Sequence, residues 1–219
     1  MICMDAGVAP RQDGTCVVLS FGIKNEWSFD DAMASRNCTV YSFDPTMNVS
    51  DHRRGERIFF FSVGLDAARG NIIVKKNKLP VESYRDILNR IARVDSIIDY
   101  LKVDIESSEL GFFSNVLYDD AALLRNVKQI GMEIHPGKND VSKRDKFWQH
   151  LNRLQELGFR QVFSEQNNLM RNSYLYRERR VTCCYEILWV NEGFLKTEKK
   201  HPYDLHLGSA AGEEGGLLL

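Results

Sequence analysis

Apolar and polar positions alternate along this chain in blocks that read as strands, separated by stretches with helical spacing. Residues 15–20 form a buried first strand rich in β-branched side chains, after an Asp13-Gly14 turn. Residues 26–35 form a short helix and 39–43 a second strand, closed by Asp44-Pro45. A polar loop, 48–56, precedes a third strand at 58–63. Residues 64–71 are turn-rich, and 72–79 read as a short strand and loop. Tyr84, Ile87, Leu88 and Ile91 fall on one helical face within 81–94. A fourth strand runs from Ile97 into Leu101-Lys102-Val103-Asp104-Ile105-Glu106, and a helix over 109–117 resumes at 121–125. The fifth strand is 127–134. An amphipathic helix over 143–157 carries Phe147, Leu151, Leu154 and Leu157 on one face, with Gly158 as its stop. Residues 159–164 and 183–190 are the last two strands, with a polar loop between them.

Strands alternating with helices predict an α/β fold: a doubly wound, mostly parallel, seven-stranded, Rossmann-like sheet. The last two strands have only a loop between them, so they pair as a terminal antiparallel hairpin. One domain is expected over 1–194 and a disordered Lys-, Gly- and Glu-rich tail over 195–219.

Composition changes this picture little. The 219 residues are 43% hydrophobic and 27% charged, enough for one core. With 29 basic and 30 acidic residues the net charge is -1, which lacks the basic excess of a nucleic-acid footprint and predicts no nucleic-acid partner. No apolar run is long enough to span a membrane, and residues 1–13 lack a signal-peptide pattern. None of the five cysteines forms a CxxC pair, so no structural zinc site is expected and no residue is assigned as a metal ligand from the cysteines. Cys16 and Cys38 each precede a strand. They are either two free buried thiols or, if those strands are parallel neighbours, partners in a disulfide. Asn37-Cys38-Thr39 and Asn48-Val49-Ser50 are glycosylation sequons.

Candidate chemistry collects where strands end. Asp104 and Glu106 lie two apart and share a face at the carboxyl edge, where open α/β sheets bind ligands. Their candidate roles are a general base, a partner for a ligand's amino group, or a hard-metal site. Glu109, three residues after Glu106, either shares in that constellation or is simply first-turn helix charge. Glu133 and His135 repeat the two-residue spacing on the next strand, and His135 can shuttle a proton near neutral pH. Asp44, 22 positions after Gly22, suits two ribose hydroxyls. The loop opened by Phe21 and Gly22 has one glycine where a pyrophosphate loop has three. This counts against a dinucleotide and leaves room for S-adenosylmethionine, which has no phosphate. Asp66 is a candidate adenine contact or a turn residue. Arg171, Tyr174, Tyr176, Arg177, Arg179 and Arg180 are a lid for an anionic substrate or a solvated loop.

Leu101-Lys102-Val103-Asp104-Ile105-Glu106-x-x-Glu109 resembles the LKxDxEGxE signature of FkbM-type S-adenosylmethionine-dependent methyltransferases, with Ser107 in place of glycine. Within that group VVLSFGIKNEWSFDDAMA, VYSFDPT, MICMDAGVAP and IGMEIHP are similar to the animal methyltransferase-like protein 24 family. The resemblance covers about residues 1–192. It implies a class I methyltransferase fold with Gly22 near the methionine end of the cofactor and Asp44 on its ribose. Asp104 then faces the methyl group. It also implies O-methylation of a sugar or small-molecule hydroxyl, and relatives in the secretory pathway or anchored to membranes. For this chain the compartment stays open between secreted and cytoplasmic. Two other readings stand beside the enzyme: an inactive fold kept as a binding module, and a glycosyltransferase with Asp104 and Glu106 on a metal.

Overall fold

The computed structural model describes residues 1–106, 108–135, 141–167, 173–176, 179–182 and 184–195. In chain order the elements are β1 (Val17–Phe21), α1 (Ser28–Ser35), β2 (Thr39–Phe43), β3 (His52–Arg54), β4 (Ile58–Phe61), β5 (Gly64–Leu65), β6 (Gly70–Val74) and β7 (Asn77–Glu82). They continue with α2 (Tyr84–Arg90), β8 (Tyr100–Val103), α3 (Glu109–Ser114), β9 (Gln129–Ile134), α4 (Val141–Glu156), β10 (Phe159–Gln166), β11 (Ser173–Tyr176), β12 (Arg179–Thr182), β13 (Tyr185–Asn191) and α5 (Glu192–Leu195).

The main sheet has the order β10-β13-β9-β8-β1-β2-β4-β3. Strands β4, β2, β1, β8 and β9 are parallel to one another, and β13 runs antiparallel between β9 and β10. The expected α/β sheet with its antiparallel terminal pair is therefore present. It gains an eighth strand, β3, inside the stretch read as loop. His52, Arg53 and Arg54 give no alternation to detect, and charged side chains on a short edge strand guard it against further pairing.

Each face of the sheet carries its own core, the signature of a doubly wound fold. On one face Leu101, Val103, Ile130 and Met132 pack with Tyr84 and Ile87 of α2, Phe112 and Phe113 of α3, and Phe147, Leu151 and Leu154 of α4. On the other Val18, Val40, Tyr100 and Leu188 pack with Met33 of α1. The period-two alternation of β8 sends Leu101 and Val103 to the first core and Tyr100 to the second.

Two expected boundaries shift. The stretch over 64–82 builds a small separate sheet of order β5-β7-β6, so the following helix starts only at Tyr84. Ser83 sets that start by accepting from the Asp86 N–H. The helix stops where Ala92 turns left-handed, φ 53°. The polar loop before β13 contains the hairpin of β11 and β12. The expected tail beyond residue 195 lies outside the described residues, as do Ser107, Arg171 and Arg177 and the side chains of Tyr174, Tyr176, Arg179 and Arg180.

The amino edge of the sheet is fastened. Cys16 and Cys38 form a disulfide at the starts of β1 and β2, with Cα atoms 4.5 Å apart, which decides between the two readings of those thiols. Asp99, fully buried before β8, accepts from the Val17 N–H at 3.0 Å and pairs with Arg11 at 2.7 Å and Lys128 at 3.1 Å. Buried charges need such partners.

Candidate active site

Gly22 follows β1 with φ 78°, and a Cβ there would stand 1.6 Å from the Asp104 carbonyl oxygen. Only glycine lets the two strand ends approach this closely. The chain then passes through Lys24, φ 44°, and Asn25, φ 63°. The Lys24 N–H donates to Asp44 Oδ2 at 2.8 Å, while the Thr46 N–H and hydroxyl donate to Oδ1 at 2.8 and 2.6 Å. Asp44 is thus buried, hydrogen-bonded and fixed at the end of β2.

Gly22, Lys24, Asp44, Asp104 and Glu106 share the wall of a cavity of about 270 Å³. Phe43, Leu65, Ile72 and Val81 supply its apolar part. A second cavity of about 140 Å³ is lined by Phe29, Tyr100, Lys102, Glu133 and Glu186. Asp104 lines both. Its Oδ1 is buried with no hydrogen-bond partner among the described residues. Burial pushes the Asp104 carboxyl up and the Glu133 charge adds to this, against the pull of Lys102, Lys24 and His135.

Glu106, with φ 36°, points its carboxylate at Lys24, and the two form an ion pair. The hydrogen bond from Lys24 holds the Glu106 carboxyl below its usual range. Glu109, in the first turn of α3, is fully buried, and its Oε1 lies 2.5 Å from His135 Nδ1. Its value as helix charge is therefore only part of its role. His135 Nε2 lies 3.9 Å from Glu133 Oε2. Burial works against a charge on this ring. The bond to Glu109 and the charges of Glu109, Glu133 and Asp104 outweigh it and raise His135 above its ordinary 6.5. The shift favours the imidazolium. His135 walls neither cavity.

Sequence reading thus assembled Gly22, Asp44, Asp104, Glu106, Glu133 and His135 at one sheet edge, and they are there together. Two candidates need correcting. Phe21 is fully buried and stacks on Phe43 with centroids 4.6 Å apart, so its side chain belongs to the core. Its carbonyl accepts from the Asp104 N–H at 3.1 Å. Asp66 accepts from the Ala67 N–H at 2.6 Å and packs against Gly111, outside the wall of either cavity. Lys24 was missed, and the pairing of Glu109 with His135 was not foreseen, since each residue matters through a partner far away in sequence. Glu133, His135 and Cys184 offer ligand atoms within 4.8 Å of one another, but Cys184 is disulfide-bonded and has no thiolate to give.

Comparison with known proteins bears on this geometry. A family described as a methyltransferase domain matches residues 2–178. "Probable methyltransferase-like protein 24" of Rattus norvegicus is 27% identical over 207 residues, which is 87% of this chain and 55% of the relative. The Homo sapiens protein of that name is 28% identical over 189 residues, 80% of this chain and 50% of the relative. The chain therefore spans about half the length of these curated relatives. A solved structure, a mutant of the 16S rRNA (adenine(1408)-N(1))-methyltransferase of Catenulisporales acidiphilia, matches with TM-score 0.40 and 13% identity over 80% of this chain and 86% of that one. The expectation of no nucleic-acid partner, read from net charge, is withdrawn. A balanced net charge does not exclude a local basic surface. The likeness itself says nothing about what this chain acts on. No helix among the described residues is long and apolar enough to cross a membrane.

Proposed function

The chain belongs to the methyltransferase-domain family, and from that premise we propose that it binds S-adenosylmethionine beside Gly22 and Asp44 and methylates a hydroxyl on a sugar or small molecule. The observation that carries the reading is Asp104, which walls both cavities and has a buried carboxylate oxygen with no hydrogen-bond partner among the described residues. Family membership implies a methyl donor, and the residues of the larger cavity fit this one. Of the roughly four acceptor sites of a carboxylate, Lys24 and Thr46 engage three on Asp44, which leaves one on Oδ2 for a ribose hydroxyl. Leu65, Ile72 and Val81 offer apolar walls to a flat base. When bound, the cofactor supplies a methyl group activated on a sulfonium.

The chain's own part is orientation and proton removal. Asp104 would hydrogen-bond the acceptor hydroxyl, orient its oxygen and take its proton as the C–O bond forms and the C–S bond of the sulfonium breaks. Alignment is the larger contribution in such a displacement. The raised basicity of Asp104 suits that task. Glu133 adds to that basicity by its charge, and His135 offsets part of the acid cluster.

Asp104→Asn should lower methyl transfer by about 10²–10⁴-fold while calorimetry records unchanged binding of S-adenosylhomocysteine. Undiminished turnover would refute the base assignment. No binding at millimolar S-adenosylhomocysteine would sink the enzyme reading. The inactive binding module would then take its place, a reading that the single glycine of the first loop favours.

A further inference from the structure

Asn37-Cys38-Thr39 and Asn48-Val49-Ser50 both have the acceptor pattern for N-linked glycosylation, and the fold treats them differently. Cys38 is fully buried and bonded to Cys16, and the Thr39 N–H donates to the Cys16 carbonyl at 2.9 Å as β2 begins. Asn37 sits in a left-handed turn, φ 70°. Its Nδ2, the atom that would carry the sugar, lies 3.3 Å from where a Cβ on Gly14 would stand. Once the bridge has closed, presenting this tripeptide to an enzyme means taking apart the bridge and the start of β2. Asn48, Val49 and Ser50, in contrast, are all exposed, in the irregular segment between β2 and β3. Asn48 walls an open cleft of about 880 Å³ beside Lys75, Lys76 and Lys78, and neither the 270 nor the 140 Å³ cavity. A sugar chain there has room and leaves the candidate site open.

The cysteines supply a second, independent observation. The Cys16–Cys38 bridge ties two central strands together with both residues buried, and Cys184 is disulfide-bonded as well. Disulfides form and persist in oxidising compartments and are rare where thiols are kept reduced. The same oxidising lumen is where oligosaccharides are attached to asparagine. We propose that Asn48 is N-glycosylated and that Asn37 is not. In the transfer, Asn48 Nδ2 forms a bond to the anomeric carbon of an oligosaccharide carried on a lipid pyrophosphate. The bond from that carbon to the pyrophosphate oxygen breaks, the lipid pyrophosphate leaves with the electron pair, and one amide proton is released. Ser50 supplies the hydroxyl that the acceptor pattern requires two residues on. The bulky, solubilising product then stands at the rim of the open cleft.

The test is mass spectrometry of the protein from its native source after treatment with peptide-N-glycosidase, which releases the glycan and converts the asparagine that bore it to aspartate. Conversion is expected at Asn48 and not at Asn37. The full chain secreted by cultured animal cells behind an added signal peptide should also shift in gel mobility on that treatment. Asn48→Gln and Ser50→Ala should each abolish the shift, Ser50→Thr should keep it, and Asn37→Gln should leave it unchanged. All three positions are exposed, and unchanged melting temperatures would verify that the variants fold. An unconverted Asn48 in the native protein, a shift that survives Asn48→Gln, or conversion at Asn37 would overturn the proposal. Alkylation of Cys16 and Cys38 without prior reduction would overturn it too, by placing the protein where thiols stay reduced.

Discussion

Asp104 is held in the fold with its carboxyl pushed up by burial. The folded state therefore binds its proton more tightly than the unfolded chain, and stability falls as pH rises from the ordinary 3.8 through the raised value. Asp104→Asn removes that penalty. Near neutral pH it should stabilise the protein by about 1 kcal/mol, read as a melting temperature about 2–4 °C higher. A lower melting temperature would contradict the account. His135 has the same sign for the opposite reason, since its charged form is the one the fold favours. Its contribution is full below 6.5 and is lost as pH rises through its raised folded value. Glu109→Gln should bring the His135 midpoint down in an NMR titration and remove most of that pH-dependent stability; an unmoved midpoint would exclude Glu109 as the cause. At this scale the sequence was informative where one strand carries the pattern. Asp104 with Glu106, and Glu133 with His135, were read from a strand spacing of two and do lie at that edge, but β8 ends at Val103 and β9 at Ile134, so Glu106 arrives from a left-handed turn and not from the strand. The pairing of Glu109 was not legible, because a first-turn acid is explained without a partner, and its partner lies 26 positions away.

Among the elements, the turn after β1 has the least tolerance. Gly22→Ala would place a methyl group onto the Asp104 carbonyl in a conformation that alone costs about 1–2 kcal/mol for an L-residue. The variant should lose about 2 kcal/mol or more in urea denaturation and bind S-adenosylhomocysteine at least about tenfold more weakly. Wild-type affinity would show that the contact between strand ends does not shape the cavity. The Cys16–Cys38 bridge closes a separation of 22 residues, for which chain entropy gives about 3 kcal/mol. Cys38→Ser, or reduction of the native chain, should cost about that much in denaturation experiments while leaving cofactor affinity unchanged, because the bridge sits at the edge away from the site. Elements with clean alternation or a clear helical face were readable, α4 best of all. The β6–β7 hairpin was only half readable, because Ile72, Ile73 and Val74 break the alternation, and Ile73 remains 69% exposed. Strand β3 was invisible for want of any apolar residue.

For the whole molecule, the order of strands and helices was enough to give the layered sheet and its antiparallel end. It also fixed which edge would hold the chemistry, since parallel strands share their carboxyl ends. The order could not reveal which side chains cross that edge to meet. Gly22 with Asp104, Lys24 with Glu106 and Glu109 with His135 are all contacts between separate units of the fold. The partner expectation failed at this scale too, because a sum of charges carries no map of where they lie.

Strand β13 enters the sheet between β9 and β10, although both precede it in the chain. During synthesis β10 therefore emerges with no neighbour in the sheet to receive it. Strand β9 likewise waits with its outer edge bare. Non-local pairing of this kind slows folding, and an open strand edge is a template for mispairing between chains. The sheet can close only after residue 191 has left the ribosome, so a nascent chain carries two residues of its candidate site, Glu133 and His135, on an unguarded edge until then.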